Sequence, residues 1–211
     1  MHKLLIATAN PGKVREFRQM LGDGRFDYGD LSQHAPVTPV EETGHTFLAN
    51  ACLKAAGYAK QRGAWALADD SGLEVDALGG APGVESARWA KLNGAGEGDA
   101  DNNRLLLRQL ENVPDERRAA RFVCVLALAD PGGRIILTAR DSADGRVLRS
   151  PRGSGGFGYD PLFFVEALGR TTAELSPQQK HEISHRGKAL RRMKALIERA
   201  NLFSEDDTVT R

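Results

Sequence analysis

Cysteine is scarce in this chain: Cys52 and Cys124 are the only two among 211 residues. They fall in a helical and a strand-like segment, too far apart to form a metal-ligand cluster, and read as small buried hydrophobes without chemistry of their own. Net charge is equally scant. Lysine and arginine total 29 against 28 acidic residues, a formal charge of +1, which excludes a global field for holding nucleic acid or an anionic membrane. Any anion has to be held by a local site. Long apolar runs are missing as well. Residues 122–129 and 134–139 are strand-sized, well short of the roughly 20 residues that cross a bilayer. Met1-His2-Lys3 leads straight into an apolar run without the small-residue cleavage site of a secretory signal, so the expected location is the cytoplasm. The length suits one domain over residues 1–201 with a substantial core. The polar segment 202–211 is expected to be a disordered tail. No internal repeat or linker interrupts the chain.

The segments that are present alternate strand-like and helix-like. Residues 3–8 (KLLIAT) read as a buried strand ending in a turn, after which Asn10 caps a helix, Pro11 takes its first position, and Val14, Phe17 and Leu21 form its apolar stripe. Gly22 and Gly24 stop it. Thr46 caps a second helix over 47–62, with Phe47, Leu48, Ala51, Cys52, Ala55 and Ala59 as its apolar face and Gly63 as its stop. Residues 64–68 read as a strand that delivers Asp69-Asp70-Ser71-Gly72 at its tip. The glycine-rich stretch 78–98 reads as irregular and carries Trp89. Asp101 is expected to cap a third helix with Leu106, Leu107, Leu110 and Val113 on its apolar face. Residues 121–129 and 134–139 flank Asp130-Pro131-Gly132-Gly133 and should form a hairpin. Residues 150–160 (SPRGSGGFGYD) read as a loop that approaches something closely. Ser176-Pro177 opens a last helical region with Leu190, Met193 and Ile197 buried and Lys188, Arg191, Arg192 and Lys194 solvated.

Three constellations can carry chemistry. The run Thr8-Ala9-Asn10-Pro11-Gly12-Lys13 sits between strand and helix, where backbone N–H groups, the positive end of the helix dipole and a lysine make a phosphate site. Taken alone it is first of all an ordinary helix cap. The second is Glu41-Glu42-Thr43-Gly44 with Asp69-Asp70. Adjacent like charges at a strand tip need a cation or donors to offset them, and magnesium, which takes oxygen ligands, fits. For the two glutamates a solvated turn fits as well. The third is Gly153–Asp160 with Lys180, His185 and Arg186. A phenylalanine between glycines offers an open face on which a base can stack, although Phe157 and Tyr159 could equally be core residues and His185 a structural histidine. Together the three supply phosphate, metal and base contacts, the parts of one nucleotide.

These residues resemble the inosine/xanthosine triphosphate pyrophosphatases, which act on noncanonical purine nucleoside triphosphates. The likeness rests on TANPGKVREF, EETGHTFLANACLKA, ALADDSGLEVDALGGAPGVESARWA, GSGGFGYDPLFF and KHEISHRGKAL, in that order, and runs from Lys3 to about Ile197. Trp89 stands where that family often has tyrosine, and His181 where it often has asparagine. The resemblance implies an α/β fold with an elongated mixed central sheet flanked by helices, two lobes with a substrate cleft between them, and a homodimer. It implies hydrolysis of ITP, dITP and XTP to the monophosphate and pyrophosphate, with Mg2+ as cofactor and without nucleic acid or membrane as partner. By the same resemblance Thr8, Ala9, Asn10, Pro11, Gly12, Lys13 and Lys54 meet the phosphates and Glu41 and Asp70 bind the metal. Asp70, or Asp69 beside it, accepts the proton. Ser71, Phe157, Gly158, Tyr159, Asp160, Lys180, His185 and Arg186 contact the nucleotide. A pyrophosphatase for modified pyrimidine nucleotides and a noncatalytic nucleotide sensor are the competing readings; turnover on purine against pyrimidine substrates separates the first, and binding without turnover the second.

Overall fold

The computed structural model describes residues 2–21, 26–31 and 37–203. The glycines expected to stop the first helix, Gly22 and Gly24, and the tail from residue 204 lie outside them. The elements run β1 (His2–Ile6), α1 (Pro11–Leu21), β2 (Phe26–Asp30), α2 (Phe47–Arg62), β3 (Trp65–Val75), α3 (Trp89–Leu92), α4 (Asp99–Gln109), β4 (Ala119–Ala129), β5 (Ile135–Val147), β6 (Phe163–Val165), β7 (Arg170–Thr171), α5 (Pro177–Ile183) and α6 (His185–Arg199). The strands form one seven-stranded mixed sheet in the order β2-β1-β3-β4-β5-β6-β7. This is the α/β architecture expected.

The chain divides into two compact units, residues 1–70 with 125–140 and 189–211, and residues 71–124 with 141–188. It passes from one to the other within β3, β4, β5 and α6. In the first unit β1 pairs in parallel with β2, Leu4 opposite Tyr28, and with β3, Leu5 opposite Ala66. Parallel neighbours need crossovers, which α1 and α2 supply. Leu4, Ile6, Phe17, Ala55, Leu67 and Leu128 are among its buried residues. In the second unit β6 pairs antiparallel with β5 and β7. Leu73, Leu106, Phe122, Val147, Tyr159 and Phe163 belong to one buried cluster there.

Local chemistry accounts for the element ends. Thr46 Oγ1 accepts from the Ala49 N–H, and Gly63 closes α2 in the left-handed conformation at φ 59°. Ser176 and Gln179 form a reciprocal capping box at the start of α5. Asp130 to Gly133 turn the chain between β4 and β5, the Gly133 N–H donating to the Asp130 carbonyl at 2.8 Å.

Five expectations are corrected. The strand expected over 64–68 runs to Val75, so Asp69 and Asp70 are interior strand residues and not a tip; each carboxylate meets a lysine, as described below. On α2 the buried face is Phe47, Asn50, Ala51, Lys54, Ala55, Tyr58 and Ala59, while Leu48 is 48% exposed. Gly98, not Asp101, is the cap of α4; Asp101 lies in the first turn and accepts from the Glu97 N–H. The last helical region is two helices, broken at Ser184. Lys188 and Lys194 are half-buried and not fully solvated, their Nζ atoms donating to the carbonyls of Ser142 and Met20.

Candidate active site

In the first unit the chain leaves β1 and turns at once. Thr8 Oγ1 accepts from the Asn10 N–H, and Asn10 Oδ1 accepts from the Lys13 N–H at 3.1 Å. Asn10 is therefore the side-chain cap of α1. Ala9 and Pro11 are exposed and Gly12 is buried, so the turn presents its open side at the positive end of the helix dipole. Lys13, one turn into the helix, forms an ion pair with Asp69.

Asp69 and Asp70 follow each other in β3, 1% and 5% exposed. Successive strand residues point to opposite faces, and each acid meets its own lysine: Asp69 meets Lys13, and Asp70 Oδ1 accepts from Lys54 Nζ at 2.7 Å. Lys54 also donates to Glu42 Oε2 at 2.9 Å. Burial penalises the Lys54 ammonium, yet the Asp70 and Glu42 carboxylates more than offset this and hold its pKa above the ordinary value. Burial likewise works against ionised Glu42, and Lys54 outweighs it, so that carboxyl stays below its usual range. For Asp70 burial wins over Lys54, pushing the group up to about 6.

The arrangement leaves one oxygen over. Asp70 Oδ2 is buried and has no hydrogen-bond partner, a costly state for a carboxylate oxygen. Glu41, beside Glu42, is exposed. The orphaned Asp70 oxygen and the exposed Glu41 carboxylate are oxygen donors of the kind a hard cation takes. Among the described residues no three His, Cys, Asp or Glu side chains form a ready-made cage. Magnesium accommodates that, since it is held through one or two carboxylates with waters and substrate phosphates completing its shell.

Sequence reasoning missed Asn50. This α2 residue is fully buried, and its Oδ1 accepts from the Gly44 N–H at 2.8 Å. A Cβ on Gly44 would lie 2.7 Å from that oxygen, so the Glu41–Gly44 segment closes on α2 only with glycine there. Asn50 carries no motif signal of its own and reads as one more polar helix residue.

The second unit gathers the other set. Arg186 is 2% exposed and donates from Nη2 to Ser71 Oγ at 2.8 Å. Its guanidinium lies 5.7 Å from the centre of the half-buried Phe157 ring, and Lys180 Nζ lies 5.0 Å from the same ring. Lys180 pairs with Asp160 Oδ2 at 2.6 Å. Asp160 also accepts from the Phe157 N–H at 2.8 Å and from Thr172 Oγ1 at 2.8 Å, which makes it the hub of the glycine-rich loop. Gly156 stands at φ +75°, and a Cβ there would come within 2.0 Å of Asp160 Oδ2. Thr172 went unremarked in the sequence because threonine before a short turn has no distinguishing pattern. The His185 ring stacks on Phe122, with centroids 4.8 Å apart.

Tyr159 is placed apart from these groups. It is 3% exposed, packs in the buried cluster with Phe163 and Leu106, and donates its hydroxyl to the Ser86 carbonyl at 2.9 Å. Burial raises its pKa well above the ordinary value. The ring is core, one of the two alternatives open from sequence.

Residues 4–196 match the model of the Ham1 family. A Desulforamulus reducens protein named dITP/XTP pyrophosphatase is 49% identical over 203 residues, covering 96% of this chain and 99% of its own. One of the same name from Exiguobacterium sibiricum is 49% identical over 195 residues, covering 92% and 96%. Among solved structures, a HAM1 protein from Coxiella burnetii superposes with a TM-score of 0.83 at 41% identity, covering 94% of this chain and 100% of its own.

Proposed function

Because the chain belongs to the Ham1 family, we propose that it hydrolyses deaminated purine nucleoside triphosphates such as dITP, ITP and XTP to the monophosphate and pyrophosphate. Such turnover clears these nucleotides before a polymerase can incorporate them. The observation that carries the reading is the buried Lys54–Asp70 pair, joined by the half-buried Glu42, with one Asp70 oxygen left open. A protein that only bound a triphosphate would gain nothing from buried acids beside its phosphate turn.

Thr8 to Lys13 receive the phosphates at the start of α1, where the helix dipole and the Lys13 ammonium favour negative charge. Lys13 and Lys54 compensate Asp69 and Asp70 in the free protein; with substrate present they turn part of that charge to the leaving pyrophosphate. Asp70 accepts the proton of the attacking water. Its Oδ1 is held by Lys54, which orients Oδ2. Glu41 and Asp70 would hold magnesium, which when bound neutralises phosphate charge and draws electrons from the phosphorus.

The base is met by the second unit. Phe157 offers its ring face, and Arg186 and His185 supply donors. Hypoxanthine and xanthine present a 6-oxo acceptor where adenine presents a 6-amino donor, so a buried donor such as Arg186 favours the deaminated bases and leaves adenine unsatisfied. Ser71 joins the two sets along the chain, following Asp70 by one peptide bond within β3. The reading takes the enzyme to be cytoplasmic and, by the family resemblance, a homodimer. No helix among the described residues is long and apolar enough to cross a membrane.

Product analysis tests the reaction class. With dITP and magnesium the expected products are dIMP and pyrophosphate in equal amounts. Stepwise release of orthophosphate would contradict a pyrophosphatase.

A further inference from the structure

We propose that Asp99 and Asn103, in the first turns of α4, are positioning residues that set the discrimination between bases by holding the Phe157–Gly158 backbone. The inference rests on the reading of Phe157 as the face that meets the base. Both polar groups of Gly158 are taken by α4 side chains. Its N–H donates to Asp99 Oδ2 at 2.6 Å, and its carbonyl accepts from Asn103 Nδ2 at 2.9 Å. Gly158 stands at φ +62°, so its peptide groups have no regular strand or helix partner and would otherwise turn to water. On the other side of Phe157, its own N–H donates to Asp160 Oδ2. Two carboxylates therefore fix the N–H groups on either side of the Phe157 Cα, and they fix the direction in which its ring projects.

The helix that supplies the clamp is itself anchored. Leu105 and Leu106 are buried in the second unit, and the buried Asn102 accepts from the Ala90 N–H at 2.7 Å and donates to the Ala87 carbonyl at 3.2 Å. Position is thus passed from a packed helix to a loop of glycines that has little packing of its own. A stacking ring discriminates little by itself, whereas a displaced ring moves the base relative to Arg186, the donor that reads the 6-oxo group on the proposed function. A shift that weakens one such bond costs affinity without touching the groups of the first unit that act on phosphorus.

The test compares wild type, D99A, D99N, N103A and F157A, measuring kcat and KM for dITP and dATP with magnesium, and the melting temperature of each. D99A and N103A are expected to raise KM for dITP about five- to tenfold, the effect of losing one hydrogen bond to a well-placed group. Their preference for dITP over dATP should narrow by a similar factor, with kcat within about twofold of wild type. D99N keeps an oxygen that can accept from the Gly158 N–H and should restore most of the preference. Unchanged KM and selectivity in both alanine variants would overturn the inference. So would a parallel loss of kcat and melting temperature without change in selectivity, which would mark the clamp as support for the fold alone. Wild-type selectivity in F157A would instead remove the premise that Phe157 meets the base.

Discussion

At the scale of single residues, the site is built from charges the fold tolerates only in company. Asp70 shows this most plainly, with one oxygen on Lys54 and the other buried and unmatched. Asp70→Asn keeps the shape and removes the base, so turnover of dITP should fall by about 10²- to 10⁴-fold, the range for loss of a general base, while the far-UV circular dichroism stays that of wild type. The same residue makes a pH prediction for the magnesium-free protein. Folded Asp70 keeps its proton to about pH 6, whereas the unfolded carboxyl releases it near its ordinary 3.8. The folded state therefore binds more protons across this window, and the contribution of Asp70 to stability falls as pH rises from about 4 to 6 and stays low above. The amide in the D70N variant cannot titrate. Thermal melts in EDTA should show the stability of D70N relative to wild type growing from pH 4 to pH 7, and a constant difference would show that burial does not govern this carboxyl.

Among the secondary-structure elements, the helix starts and stops were the most legible part of the sequence. Asn10, Thr46, Gly63 and Ser176 each occupy the cap position that their side chain or missing side chain suits. What stayed hidden is where long-range partners override local character. Asp69-Asp70-Ser71-Gly72 has turn composition, yet it lies inside β3, where Lys13 and Lys54 pair with the acids from two helices. Strand β2 (FDYGD) has neither an apolar run nor clear alternation, and only its pairing with β1 makes it a strand. The candidate positions drew notice in the sequence because their residue types suit a nucleotide ligand. Asn50, Asp99 and Asn103 support other residues through backbone groups, and nothing in the local sequence advertises that. Arg118 is a further case. It is 1% exposed, and its guanidinium donates to the carbonyls of Leu110, Val147 and Leu148, tying the end of α4 to the end of β5. Arg118→Ala would remove these donors, leaving the Leu110 carbonyl only the Val113 N–H, and should lower unfolding free energy by roughly 3 kcal/mol in chemical denaturation, since each buried unsatisfied group costs about 1–3 kcal/mol. A loss below about 0.5 kcal/mol would mean that water replaces the guanidinium freely.

For the whole molecule, the residues proposed for the phosphates and those proposed for the base fall on different stretches of the chain: Thr8 to Lys13, Lys54, Asp69 and Asp70 belong to the first unit, and Ser71, Phe157, Lys180, His185 and Arg186 to the second. Kinetic effects should separate accordingly. Asp70→Asn acts on kcat with every substrate alike, whereas Arg186→Ala should leave turnover of saturating dITP within an order of magnitude and erase much of its advantage over dATP, as expected when a donor that reads the 6-oxo group is lost. Retention of full selectivity by R186A would move base recognition to another residue.

The measurement that bears most directly on the account is magnesium-dependent pyrophosphate release by the purified full chain from dITP, XTP, dGTP and dATP side by side. Rapid release from dITP and XTP, with dGTP and dATP slower by orders of magnitude, is the predicted result. Equal rates on all four would contradict recognition of the deaminated base, and binding of dITP without any release would contradict the catalytic role given to Asp70.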